Sequence, residues 1–256
     1  MNQSSQGSAN DGADISVITF TLGTRDKYLF NCLDSVYNDG FLGKVEHHVI
    51  FQGSVPDEGV RGCLSTYKQT PSYELIIHEW PQNIGIGAGL NKILSECTGD
   101  LILKLDDDAK IISEDFFDNA LSIHKKFPNS CFNPYPIGLI GNPGGPRAID
   151  HSVWYDKQND KVWTRRHVPH LGGFSRFTPA HIIKSFKFSS DLIPGISGTE
   201  DGDFSRHCLA NNIEMFYLES GLAVEHNEST LGQVVRYQEY FKNRSYESTV
   251  GIKVIE

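Results

Sequence analysis

Leu101-Ile-Leu-Lys-Leu-Asp-Asp-Asp108 is a short strand-forming run that ends abruptly in three carboxylates. Such a run, bounded by polar residues, reads as a buried strand reaching the edge of a sheet. Three adjacent anions repel one another, and burying them costs on the order of several kcal/mol unless a cation or strong donors compensate. A divalent ion held by Asp106 and Asp108 would provide that compensation and would also bind a diphosphate. The competing reading is a solvated Asp-rich turn. A calcium loop of the EF-hand type fails, because its Gly would fall on Ile111 and its bidentate Glu on Phe117. A hard cation with oxygen ligands remains, Mg²⁺ or Mn²⁺ shared between carboxylates and phosphates.

The flanking pattern repeats one unit. Ile15 to Thr21 is a β-rich run, and Asp26 to Tyr37 places Tyr28, Leu29, Cys32, Leu33 and Val36 on one helical face. Val45 to Phe51 reads as a second strand, Leu75 to Trp80 as a third, 85 to 97 as a second helix and Leu101 to Leu105 as a fourth strand. Alternating strands and helices predict an α/β fold with a mostly parallel central sheet and helices on both faces, whose ligands bind beyond the carboxyl ends of the strands. Residues 130 to 180 are irregular, as in Asn142-Pro-Gly-Gly-Pro146, with a hairpin expected over Val153 to Val168. A helix opened by acidic residues follows at Asp203 to Asn211, then strands at Glu214 to Leu218 and Leu222 to His226, then an amphipathic helix at 231 to 242.

The composition, 39% hydrophobic and 11% aromatic over 256 residues, supports one large domain or two tightly joined subdomains. Residues 1 to 13, rich in Ser, Gly, Asn and Gln, are expected to be disordered. A formal charge of −9 argues against a broad nucleic-acid footprint. No stretch reaches the roughly 20 apolar residues of a membrane span, and the first residues lack signal-peptide character, so the expected location is cytoplasmic, with docking at a membrane surface allowed. Five scattered cysteines without a C-x-x-C indicate neither a disulfide framework nor a structural zinc site, and are expected to be free thiols.

Taken in order, these segments resemble the GT-A glycosyltransferases of inverting family 2 over about residues 15 to 245. The resemblance rests on Ile15 to Thr21 with Tyr28-Leu-x-x-Cys-Leu-x-Ser35, on Asn83-Ile-Gly85 with Asn91, and on Gly99-Asp-Leu-Ile-Leu-Lys-Leu-Asp-Asp-Asp108. Further along it includes Gly172-Gly173, Glu200-Asp201-x-Asp203-Phe204 and Val224-x-His226. It implies a domain over 14–226, with a nucleotide-binding half (14–109) and a smaller acceptor half (110–226), before a helical tail at 227–256. It implies a metal, Mn²⁺ or Mg²⁺, on Asp106, Asp108 and His226, and a general base at Asp201 with Glu200 as the alternative. Donor contacts would come from Thr21, Gln52, Asn83, Gly85, Asp106 and Asp107, and acceptor contacts from Gly172 and Gly173. Gln52 stands where the family more often has Asp or Asn, and Gly23-Thr24-Arg25 replaces its usual Asn-Arg turn. The implied reaction moves a sugar from a nucleoside diphosphate, UDP first and dTDP second, to a hydroxyl of a glycan or glycoconjugate, as in surface polysaccharide biosynthesis.

Two other classes stay open: a sugar-phosphate nucleotidyltransferase, and a non-catalytic glycan- or nucleotide-binding module. The residues themselves also offer plainer readings. The acidic cluster at 200 to 203 could simply cap a helix, and His226 could be a strand-end histidine bonded to backbone. Gly85-Ile-Gly87-Ala-Gly89 imitates a dinucleotide loop, but its third Gly would fall on Leu90, and Trp80-Pro-Gln-Asn does not read as a strand end. Trp154, Trp163 and Phe174 could stack on a sugar, although packing is the commoner role.

Overall fold

The computed structural model describes residues 12–138, 150–156, 161–189, 200–219 and 221–227. The expectations for residues 1 to 11, for 142 to 146 and for the helix at 231 to 242 lie outside them. The first half runs β1 (Ile15–Thr21), α1 (Asp26–Tyr37), β2 (Val45–Gln52), α2 (Glu58–Leu64), β3 (Tyr73–Trp80), α3 (Ile86–Ile93) and β4 (Leu101–Leu105). Its strands lie in the order β3-β2-β1-β4, all parallel. The sequence pattern of β1 and α1 translates directly: every residue of β1 is buried, and Leu29, Cys32, Leu33 and Val36 are the buried stripe of α1.

The second half continues with β5 (Ala109–Ile111), α4 (Phe116–Lys126), β6 (Ser130–Asn133), β7 (Tyr135–Ile137), β8 (Asp150–Asp156), β9 (Lys161–His167) and β10 (Ser175–Pro179). It ends with α5 (Ala180–Ser185), α6 (Glu200–Ala210), β11 (Glu214–Leu218) and β12 (Ala223–His226). β10 pairs antiparallel with β4, and from there the nine-stranded sheet is mixed, in the order β10-β6-β11-β9-β8. The hairpin expected over 153 to 168 is β8 and β9. A small sheet, β5-β12-β7, folds the end of the described chain back onto the segment just after the Asp triplet.

Alternation along the strands separates two cores. Val17, Val49, Leu101, Leu103 and Leu105 face one side with α1 and α4, while Ile18, Ile50, Ile102, Leu90 and Ile93 face the other with α3. Beyond β4 the first core is largely aromatic, with Phe132 stacked between Phe177 at 5.0 Å and Phe216 at 5.6 Å.

Several sequence expectations need correction. The helix expected over 85 to 97 covers only Ile86–Ile93, because the chain turns back with Glu96 N bonded to Ile93 O, 2.9 Å. It is also the third helix, since α2 precedes it. α6 starts at Glu200 rather than Asp203, with three carboxylates in its first turn, where the helix dipole favours them. β3 does end at Trp80, so that part of the case against a dinucleotide loop fails, and Leu90 alone carries it. Among the described residues no helix is long and apolar enough to cross a membrane, and the five cysteines are free thiols.

Phe132→Ala removes the middle ring of the aromatic stack. The expected cost is about 3–5 kcal/mol of unfolding free energy, measured by denaturant titration; a loss below 1 kcal/mol would mean the stack adds little to the second half.

Candidate active site

Strand β4 delivers the Asp triplet to the carboxyl edge of the sheet, and alternation sends its members in different directions. Asp107 and Asp108 are buried and share one cation, Arg25 on the loop after β1, which pairs with both. Thr21 Oγ1 adds a 2.8 Å hydrogen bond to Asp107. Asp106 is the more exposed member, and its partner is Lys104, two residues back on the same face of β4. The compensation demanded by three buried anions is therefore built into the chain. Burial works against the charge on Arg25, but Asp107 and Asp108 outweigh it and raise its pKa. Lys104 follows the same pattern, with Asp106, Asp201 and Glu200 outweighing burial. Burial pushes Asp107 up to about 6 against the pull of Arg25, and it raises Asp106 as well.

His226, at the end of β12, brings Nε2 to 3.3 Å from Asp108 Oδ2. Its ring packs against Phe174 at 5.2 Å, so Phe174 is occupied with positioning a histidine. The main-chain oxygen of Phe174 accepts from Asp106 N at 3.0 Å, which ties the loop before β10 to the triplet. Trp163 is likewise in the core, and Gly221 must lack a side chain to pass its ring.

Gly172 and Gly173 lie under α6. Gly172 is held at both ends, its N–H donating to Tyr217 Oη at 3.0 Å and its carbonyl accepting from Asn133 Nδ2 at 2.9 Å. Gly173 O accepts from Lys104 Nζ, and a Cβ on Gly173 would stand 2.8 Å from Cγ of Asp201. The absent side chain is what lets the Asp201 carboxylate sit on this loop. Arg176, on β10 and almost fully buried, donates to Asp201 Oδ1 at 2.9 Å and lays its guanidinium over the Phe204 ring. Glu200 is buried beside it, and Ser205 accepts from Leu171 N, pinning α6 to the glycine loop.

Gln52, Asn83 and Gly85 form a separate cluster at the ends of β2 and β3. Buried Gln52 accepts from Ile84 N at 3.1 Å, and Asn83 Oδ1 accepts from Gly85 N at 2.9 Å. Gly85, at φ 80°, makes the turn into α3. Asn91 on α3 exchanges two hydrogen bonds with the Phe188 backbone, 2.8 and 2.9 Å, anchoring the chain that leads toward α6.

Thus Asp106, Asp107, Asp108, His226, Gly173, Glu200 and Asp201 share one polar site, tied to Thr21, whereas Gln52, Asn83 and Gly85 stand together next to α3. Sequence reading missed three cations here: Arg25, Lys104 and Arg176. Arg25 was visible only as a departure from the expected turn. Lys104 passed as part of an apolar run, and Arg176 sits on a strand that was not anticipated. Among the described residues, five carboxylates face these three cations, a formal excess of two negative charges. One divalent ion would cancel it, and carboxylate oxygens with an imidazole nitrogen are suitable donors for Mn²⁺ or Mg²⁺, although the donor atoms of Asp106, Asp108 and His226 do not all lie within 4.8 Å of one another.

The profile of the family described as Glycosyl transferase family 2 matches residues 16–178, more than half of the sequence. Among solved structures, the 1–349 fragment of S. aureus TarS in complex with UDP-GlcNAc superposes with a TM-score of 0.60 at 16% identity, covering 84% of this chain and 59% of that one. The mannosyltransferase PcManGT from Pyrobaculum calidifontis, in complex with GDP-Man and Mn²⁺, gives 0.61 at 15% identity, covering 91% and 64%. An N-acetylglucosaminyltransferase of Rhizobium sp. (strain N33) is 29% identical over 83 residues, 32% of this chain and 18% of that protein's length. The architecture is that of the GT-A fold. The chain belongs to glycosyl transferase family 2.

Arg25→Ala leaves Asp107 and Asp108 without their shared cation. Unfolding free energy in chelator should fall by about 1–3 kcal/mol, and Mn²⁺ should restore most of the loss. Equal destabilisation with and without the ion would show that the Arg25 site and the metal site are unrelated.

Proposed function

We propose that the chain is a metal-dependent inverting glycosyltransferase, moving a sugar from a nucleoside diphosphate, UDP first and dTDP second, to a hydroxyl of a glycan or glycoconjugate. The observation that carries this is the convergence of two acidic groups from opposite halves of the sheet. The end of β4 supplies Asp106 and Asp108, the start of α6 supplies Asp201, and Lys104 lies between them. Family membership, and neighbours whose structures hold UDP-GlcNAc or GDP-Man with Mn²⁺, support the same reading.

Asp106, Asp108 and His226 would hold the ion, which when bound stabilises the charge of the departing diphosphate. Arg25, on the donor-side loop, would turn from its aspartates toward the phosphates. Thr21, Gln52, Asn83, Gly85 and Asp107 shape the nucleotide side. Gly172 and Gly173 keep the acceptor side open above Asp201. Asp201 accepts the acceptor hydroxyl proton as the oxygen bonds to the anomeric carbon and the bond to the diphosphate breaks on the opposite face. Arg176, donating to Asp201 Oδ1, fixes that carboxylate in direction. The residue divisions 14–109 and 110–226 are the donor and acceptor halves of this reaction, carried out in the cytoplasm or at its membrane surface.

The first test is thermal-shift binding of UDP, dTDP, GDP, CDP and ADP, with and without Mn²⁺, to the wild type and Asp108→Ala. A metal-dependent shift with one base, lost in the variant, supports the donor site. No shift with any diphosphate would overturn the reading, and pyrophosphate release from a nucleoside triphosphate and a sugar phosphate would replace it with a nucleotidyltransferase. Asp201→Asn should lower turnover by about 10²–10⁴-fold with donor binding intact. If Glu200→Gln shows that loss while Asp201→Asn does not, the base is Glu200.

A further inference from the structure

At the amino edge of the parallel strands, away from the Asp triplet, three buried side chains of different chemistry meet. Glu46 and His48 lie two apart on β2 and therefore on one face, and Cys97 follows the turn after α3. Their carboxylate, imidazole and thiol atoms all lie within 4.8 Å of one another. Among the described residues no other trio of His, Cys, Asp and Glu meets that condition. His48 is 1% exposed, and its Nε2 has the Glu46 carboxylate oxygen as its partner, 3.5 Å away. A metal with bonds of roughly 2.0–2.3 Å at tetrahedral angles sets its ligands about 3.3–3.6 Å apart. The separation is long for a hydrogen bond and right for one edge of that tetrahedron.

The surroundings orient each donor as a metal site requires. His48 Nδ1 is bonded to His78 Nε2 at 3.0 Å, a partner that can hold the ring with Nε2 turned inward, and His78 leads outward to exposed Glu96. Glu46 is fixed by the Ser16 hydroxyl and by the backbone and hydroxyl of Thr98. Cys97 makes a long 3.6 Å contact to Ile93 O, and its thiol also meets the Ser16 hydroxyl.

We propose that Glu46, His48 and Cys97 form a structural zinc site, completed by one water, that fastens the chain entering β4 to β2, next to the edge strand β3. The mixed oxygen, nitrogen and sulfur set favours Zn²⁺ over the hard ions suited to the Asp triplet. Sequence spacing argues against structural zinc because the five cysteines are scattered without a C-x-x-C, and the present cluster uses one cysteine with two ligands of other kinds. On binding, the Cys97 proton leaves to solvent and sulfur bonds to the metal as thiolate; nothing is oxidised or reduced.

The test is Co²⁺ titration of the chelator-treated full chain, read by the thiolate-to-cobalt charge-transfer band. The Asp triplet has no thiol ligand and cannot produce that band, so failure here and failure of the glycosyltransferase reading are separable. The expected result is a band that saturates at one equivalent, is displaced by Zn²⁺, persists in Cys63→Ser and is lost in Cys97→Ser and His48→Gln. Absence of the band in the wild type, or its loss in Cys63→Ser, would overturn the proposal. So would its survival in Cys97→Ser with the fold intact by circular dichroism.

Discussion

Everything at the carboxyl edge of this sheet follows from how five carboxylates share three cations. Charge packed this densely survives burial because two of the cations serve more than one partner. Arg25 bridges Asp107 and Asp108, and Lys104 binds Asp106 together with a loop carbonyl while feeling Glu200 and Asp201. The charges fix where loops go. The turn after β1 is drawn onto the triplet, the glycine loop is drawn onto Lys104, and α6 is drawn onto Arg176. The negative charge left among the described residues favours a cation there.

The apolar framework serves that arrangement. β10 enters the sheet against the direction of β4, so the chain reaching it must pass directly beside the triplet. That passage contains Gly172, Gly173 and Phe174. One antiparallel strand therefore places the Asp triplet and the Asp201 carboxylate side by side without any long loop reaching across the cleft. β12 completes the site from below by pairing with β5, which delivers His226 opposite Ala109, the residue after the triplet.

Local pattern was legible in the sequence where packing followed it. The bounds of β1, α1, β4 and β11 could be read from periodicity alone because each buries a face or a whole strand. α4 carried a readable stripe, Phe116, Phe117, Ala120 and Ile123, that was passed over beside the more irregular residues after it. α2 is short and contains two glycines, and Asp57, whose side chain accepts from Val60 N, was its one local signal. β10 could not be seen locally: it holds a buried arginine and a proline, and its stability comes from β4 and β6. The acidic half of the site was visible because carboxylates in a row demand explanation. The cationic half was not, since each cation is alone in its segment and gains meaning only through contacts far along the chain. The donor-side expectation for Gln52 met a second constraint of this kind, because its oxygen already holds Ile84 in the turn before α3.

Lys104 grips Asp106 with one proton and the carbonyl of Gly173 with another, and Asp201 rests on that same glycine. Any ligand that claims Asp106 must change what the lysine does, and the floor beneath Asp201 will register the change. Two substrates bound on opposite sides of such a hinge cannot be energetically independent. In the proposed reaction, this one ammonium group would have the means to impose an order of arrival, readying Asp201 only after the first substrate has taken its place.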